Sequence, residues 1–164
     1  MKKKLNSTLF LISVCFIISC SNSEKTKDSG DLVVTNLGNY SIALPENFNI
    51  AYYNSDSING KIQGNDFSID FAIGSIPSSL FKLNEEDPEI KLIRNDSVGN
   101  FVYNILSMKD TKGETLTFLL GDNTSLSSMF GDERLDGITL SGANLNLKQK
   151  ELTLKIFETI KLRE

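Results

Sequence analysis

Between Phe67 and Ile73 every second residue is large and apolar: Phe67, Ile69, Phe71 and Ile73 alternate with Ser68, Asp70 and Ala72. Such a period of two is the signature of a pleated strand with one buried face and one wet face. A half-buried strand needs partners, and the sequence supplies them as short apolar runs separated by turn residues. Leu32–Val34 and Tyr40–Leu44 flank Asn36-Leu37-Gly38-Asn39, a hairpin-turn composition. Pro45 closes the second run, because it has no N–H to give a ladder. Further strands are expected at 48–53, 58–63, 90–94, 101–108, 115–120 and 138–140, with turns at 64–66, 97–100 and 110–114. Pro77–Leu83 suits a single helical turn, and 121–137, rich in Gly, Asp and Ser, reads as a long loop.

The best helix signal is C-terminal. Asn146 precedes Leu147, and Gln149 follows three residues on, a variant of the capping box. Leu152, Ile156 and Ile160 then form an i, i+4 stripe with Thr153 and Phe157 beside it. Leu152, Leu154 and Ile156 also alternate, so a strand stays open as the alternative. The expected fold class is α+β: a single domain over residues 32–164, an antiparallel sheet meander with a C-terminal helix packed on it.

Composition narrows the chemistry. The chain has no His, which excludes a Ser-His-Asp triad, a Cys-His pair and a histidine-containing zinc site. Its two cysteines, Cys15 and Cys20, both precede residue 21, so no disulfide or thiolate site is expected in the domain. The fold must rest on its core, and a domain of this length buries roughly two-thirds of its unfolded surface.

The N-terminus is an address. Met1-Lys2-Lys3-Lys4 is basic, and Leu9–Ile18 is apolar apart from Ser13. That run is shorter than the about 20 residues that span a bilayer, so it reads as a secretory signal. Ile17-Ile18-Ser19-Cys20 resembles the lipobox of bacterial lipoproteins. The resemblance implies cleavage after residue 19, a diacylglycerol on the Cys20 thiol and usually an acyl chain such as palmitate on its amine. Cys15 would leave with the signal. Residues 1–19 are then the signal peptide and 20–31 the lipidated Cys and a Ser-, Lys- and Asp-rich flexible tether. Two or three chains would hold the protein on a bilayer almost permanently. Ser21 replaces the Asp that, in the diderm members of that family, resembles an inner-membrane retention signal. The expected place is the outer membrane, facing the periplasm or the cell surface. Without Lys2, Lys3 and Lys4, 14 basic residues stand against 21 acidic ones, a net charge of −7. Such a surface repels phosphate backbones and anionic headgroups, so no nucleic-acid partner is expected.

Tyr40-Ser41-Ile42-Ala43-Leu44-Pro45 near the start of the domain and Ile156-Phe157-Glu158-Thr159-Ile160-Lys161 at its end resemble the PsbP-like domains of bacteria. The match covers the two ends and little between them, and the Trp of that family is replaced by Phe48 at the nearest position. The resemblance implies an antiparallel sheet covered by helices and a non-enzymatic assembly or accessory role.

Individual sites were weighed against plainer readings. Asp132-Glu133-Arg134-Leu135-Asp136-Gly137 resembles a calcium loop and, with Asp122, an irregular Ca²⁺ site, but Arg134 and Ala143 break the EF-hand pattern. A solvated loop is the plainer reading, and no cofactor or metal is expected. Glu85, Glu86, Asp87 and Glu89 are carboxylates of the kind used in glycoside hydrolysis, yet they crowd one loop beside Pro88. The serines lack a Gly-x-Ser-x-Gly elbow. Asp56-Ser57-Ile58 and Asp96-Ser97-Val98 resemble the Asp-Ser/Thr-aliphatic acceptor of bacterial O-glycosylation in exported proteins, which implies O-glycans on Ser57 and Ser97; Asp-Ser turns are the alternative. Tyr52-Tyr53 offers a stacking surface for a glycan or peptide, against one core and one surface Tyr. The leading expectation is a non-enzymatic, membrane-anchored binding or accessory module of the cell envelope. It is held to the lipid bilayer through acylated Cys20 and meets an envelope protein or glycan. The rivals are a carboxylate-only hydrolase and an inhibitory, immunity-type lipoprotein.

Overall fold

The computed structural model describes residues 31–53, 58–129 and 132–163. Ten strands form, among these residues, two antiparallel sheets. In the smaller sheet β1 (Leu32–Leu37), β2 (Tyr40–Pro45) and β10 (Lys161–Leu162) run in the order β1-β2-β10. The larger contains β3 (Asn49–Tyr52), β4 (Asn59–Gln63), β5 (Ser68–Pro77), β6 (Ile90–Val98), β7 (Phe101–Lys109), β8 (Glu114–Met129) and β9 (Asp132–Leu145). Its order is β3-β4-β5-β9-β8-β7-β6. Among the described residues, helical structure is a 3₁₀ turn at Ser78–Lys82, the four-residue α1 (Leu83–Glu86) and α2 (Leu147–Phe157).

The expected α+β class is therefore corrected, and with it the helix-covered sheet implied by the PsbP-like resemblance. The molecule is mostly β and closer to a β-sandwich. The main cause is the stretch 121–137. Instead of a loop it forms the far halves of β8 and β9, paired from Asp122↔Asp136 to Met129↔Asp132 around a register shift. Gly, Asp and Ser form strand here because the ladder is set by neighbouring strands, not by local propensity.

Two turns follow one rule. Gly38-Asn39 joins β1 to β2 and Gly99-Asn100 joins β6 to β7, with φ of +56° and +60° at the glycines. A positive φ at the first of two turn residues is the type II′ requirement.

The main core lies between the sheets. Leu37, Tyr40, Ile42 and Leu44 of the small sheet meet Ile62, Ile69, Phe71, Ile105, Phe118, Leu120, Ile138 and Leu140 of the large one. Helix α2 completes the small sheet's layer with Ile156 and Phe157. Its capping box is complete: Asn146 Oδ1 accepts from the Gln149 N–H at 3.1 Å, and Gln149 Oε1 accepts from the Asn146 N–H at 2.9 Å. Ile76, Leu106, Leu119 and Leu135 are buried outside this core. By strand alternation they face the other side of the large sheet, where residues 78–86 cross from β5 to β6. Asn104, also buried there, donates from Nδ2 to the Phe81 carbonyl at 2.8 Å and holds that crossing down.

Gly121 and Gly137 stand directly opposite each other in the β8–β9 ladder. A Cβ on Gly137 would sit 2.0 Å from the Leu120 carbonyl oxygen and 2.7 Å from Ile76 Cδ1. The only buried side-chain polar atom without a partner, among the described residues, is Thr153 Oγ1 in α2. These two positions should respond oppositely in urea unfolding. Gly137→Ala should destabilise by about 1–3 kcal/mol, the usual range for overpacking. Thr153→Val should stabilise by about 1 kcal/mol, because it removes an unsatisfied hydroxyl at constant shape. An unchanged midpoint for Gly137→Ala would disprove the close approach.

Glu114 clamps α2 to β8. Its carboxylate accepts from Lys150 Nζ at 2.7 Å and from the Ser107 hydroxyl. Desolvation raises the Glu114 pKa, but the hydrogen bonds from Lys150 and Ser107 outweigh it and hold the group below its ordinary value. A lowered folded-state pKa contributes stability above the unfolded-state value, lost as pH falls through the folded one. Glu114→Gln should therefore cost a constant amount near neutrality. The gap to wild type should close as pH falls below the ordinary glutamate range, measured by urea midpoints across pH.

Candidate functional site

A crevice of about 140 Å³ opens where the C-terminal end of α2 meets β6, β7 and β8. Alternation on β7 turns Tyr103 and Ile105 to the same side as Phe118 and Leu120 on β8, and these form the floor. Phe157 and Ile160 supply the wall, and Arg94 and Glu158 stand at the mouth. The rings form a graded series. Tyr103 stacks on Phe118 at 6.0 Å, and Phe118 meets Phe157 at 5.6 Å with a tilt of 45°. The Arg94 guanidinium lies 5.5 Å above the Tyr103 ring, a cation–π arrangement.

The mouth is electrostatically closed on itself. Arg94 donates to Glu158 at 3.3 Å and lies 3.7 Å from Asp96. Tyr103 donates its hydroxyl to Asp96 at 3.2 Å. Burial, and then this hydrogen bond, push the Tyr103 hydroxyl above its ordinary pKa against the opposing pull of Arg94. Tyr103 thus stays neutral at physiological pH and presents its ring, not a charge. The crevice has the volume of a single leucine-sized group, and polar and apolar atoms share its lining. A larger depression of about 240 Å³ lies along the outer face of β5, between Ala72 and Leu80. It is shallower and no ionisable side chain lines it. The smaller crevice combines an apolar floor with convergent polar groups, the usual signature of a binding site.

The residues singled out in the sequence lie elsewhere or outside the described residues. Cys20, Asp56 and Ser57 fall outside them. Asp96 and Ser97 lie in β6, not in a turn; Ser97 is exposed, and its N–H donates to Asp96 Oδ1 at 2.9 Å. Glu85 and Glu86 are in α1, and Asp87 Oδ1 accepts from the Glu89 N–H, so the acidic cluster shapes its own turn. Residues 132–137 are strand rather than calcium loop. Asp122 and Asp136 stand opposite each other across β8 and β9, and Asp122 Oδ1 accepts from the Thr124 N–H and hydroxyl. Arg134 donates to the Ser75 hydroxyl and carbonyl, tying β9 to β5. No group of three or more His, Cys, Asp or Glu among the described residues is arranged to hold a metal. Tyr52 and Tyr53 are 53% and 54% exposed, so neither is a core residue. Tyr52 meets Phe71 edge-on at 5.6 Å, and Tyr53 donates to Asp70. Reading the sequence missed Arg94, Tyr103 and Glu158, which converge from segments far apart. The one local signal was Phe101, Tyr103 and Ile105 sharing a strand face.

Compared with known protein families and with curated proteins, the sequence matches none.

Rim and floor should separate in mutagenesis. Arg94→Ala breaks an exposed ion pair and should cost under about 1 kcal/mol. Phe157→Ala removes a fully buried ring and should cost about 3–5 kcal/mol. Thermal unfolding of the two variants tests whether the mouth is free to serve recognition while the floor serves the fold.

Proposed function

We propose that the chain is a lipid-anchored, non-catalytic module of the bacterial cell envelope that recognises a partner protein or glycan through the crevice under Arg94 and Tyr103. The observation that carries the anchor is Ile17-Ile18-Ser19-Cys20, placed after a basic start and a short apolar run. Ser21 rather than Asp after the cysteine supports the outer membrane as the destination. No helix among the described residues is long and apolar enough to cross a bilayer. That is consistent with attachment by lipid, and it does not bear on strand-built spans.

Binding is favoured over carboxylate hydrolysis by the crevice itself. A glycoside hydrolase needs two facing carboxyl groups held about 5 or 6.5–9.5 Å apart around the bond to be cut. The two carboxylates at the crevice mouth, Glu158 in its lining and Asp96 beside it, are both paired with Arg94 over an aromatic and aliphatic floor. Such a lining suits one apolar side chain or the face of a sugar ring, with Arg94 and Asp96 able to pair at the rim.

Cys20→Ser tests the anchor. Wild type should sediment with membranes and yield an N-terminal peptide whose mass carries diacylglycerol at Cys20, whereas the variant should move to the soluble fraction. Equal membrane association of both forms would overturn the reading.

A further inference from the structure

The small sheet has an outer face that is partly open, with Leu32 and Val34 exposed and Ala43 and Pro45 half-buried. Tyr40, Ile42 and Leu44 of β2 point inward and are buried, so Ser41, Ala43 and Pro45 point outward. The register sets Leu32 opposite Pro45 and Val34 opposite Ala43. Directly opposed residues share a face, which gives a contiguous outward patch of Leu32, Val34, Ala43 and Pro45. Val34 is 71% exposed and Leu32 38%. β1 is also an edge strand, Leu-Val-Val-Thr-Asn-Leu, with no charge and no proline. Edge strands of freely soluble proteins are normally blunted by such residues. The edge strand β6 obeys that rule with Lys91, Arg94 and Asp96, and the other two edges, β3 and β10, are only four and two residues long; the six-residue β1 is neither charged nor that short.

We infer that this outer face rests on the bilayer interface and orients the anchored domain. The inference depends on the anchor at Cys20 proposed above. Eleven residues, Ser21 to Asp31, separate Cys20 from Leu32. At about 3.3–3.6 Å per residue they reach at most about 40 Å. The tether therefore delivers the chain to the bilayer at the residue where the patch begins. Contact becomes intramolecular, with an effective concentration of the order of millimolar, so even a weak apolar patch is substantially occupied.

Charge selects the same face. The net charge of −7 from Cys20 onward repels anionic headgroups from the surface at large, whereas the patch carries none. Lys161 pairs with the outward-facing Ser41 and so lies on the same side at the rim. Its stem can lie along the patch with the ammonium at headgroup phosphates. The bilayer, rather than a second copy, is the occupant that the tether holds against this face.

The test uses the acylated full-length chain in vesicles of phosphatidylethanolamine and phosphatidylglycerol. Val34→Cys carries an environment-sensitive fluorophore, and Ala72→Cys, exposed on the outer face of β5, is the control. Nitroxide-bearing lipids should quench the probe at position 34 several-fold more than the probe at position 72, with blue-shifted emission at 34 alone. Equal, weak quenching in chains that float with the vesicles overturns the docking while leaving the anchor intact. Failure to float overturns the anchor, and the docking with it. Shielding at position 34 that grows with the protein-to-lipid ratio, without lipid quenching, assigns the face to a second copy and also overturns the proposal.

Discussion

The β8/β9 ladder is the interaction on which the rest of the structure depends. β9 pairs with β5 on one side and β8 on the other, so it joins the two meanders of the large sheet. Leu120 and Ile138 look toward the small sheet from this ladder, and Leu119 and Leu135 look the opposite way. One pair of strands thus supports two apolar clusters, with glycines facing each other at Gly121 and Gly137. Close backbone approach at a glycine pair lets a sheet bend locally. With no disulfide within the described residues, the two apolar clusters must hold the domain together.

The crevice is a by-product of how that core is closed. The small sheet is narrow, and α2 fills the rest of its layer. The helix ends at Phe157, before it covers β6 and β7 fully. What remains is a gap floored by core residues and roofed by Arg94, which reaches across to Glu158. The same residues that pack the core therefore line this concavity, while the ion pairs at its rim are exposed, where such pairs contribute little to stability.

Legibility in the sequence followed distance along the chain. The Phe67–Ile73 alternation gave β5, and Asn146 with Gln149 gave the start of α2, because each depends on neighbours within a few residues. The Gly-Asn dipeptides at 38–39 and 99–100 belong to the same class, and both turn where the sequence expects them to. The stretch 121–137 was illegible because its composition is that of a loop and its strand pairing comes from partners in the ladder. β10 was hidden for a similar reason: two residues become a strand only through Ser41 and Tyr40, some 120 positions earlier. The α+β expectation followed directly, since a clear helix N-cap at Asn146 outweighed strands that left no local mark.

β1 has a mechanical consequence. Of its six residues only Leu37 is fully buried, and the other five are held mainly by one ladder with β2. If the chain is anchored at Cys20, any pull on the domain enters at Leu32 and loads that ladder from its open end. Residues 32–36 can peel away pair by pair before the load reaches Leu37 and the core. The first strand then acts as reserve slack, which lengthens the leash under strain and takes up again when the strain is released.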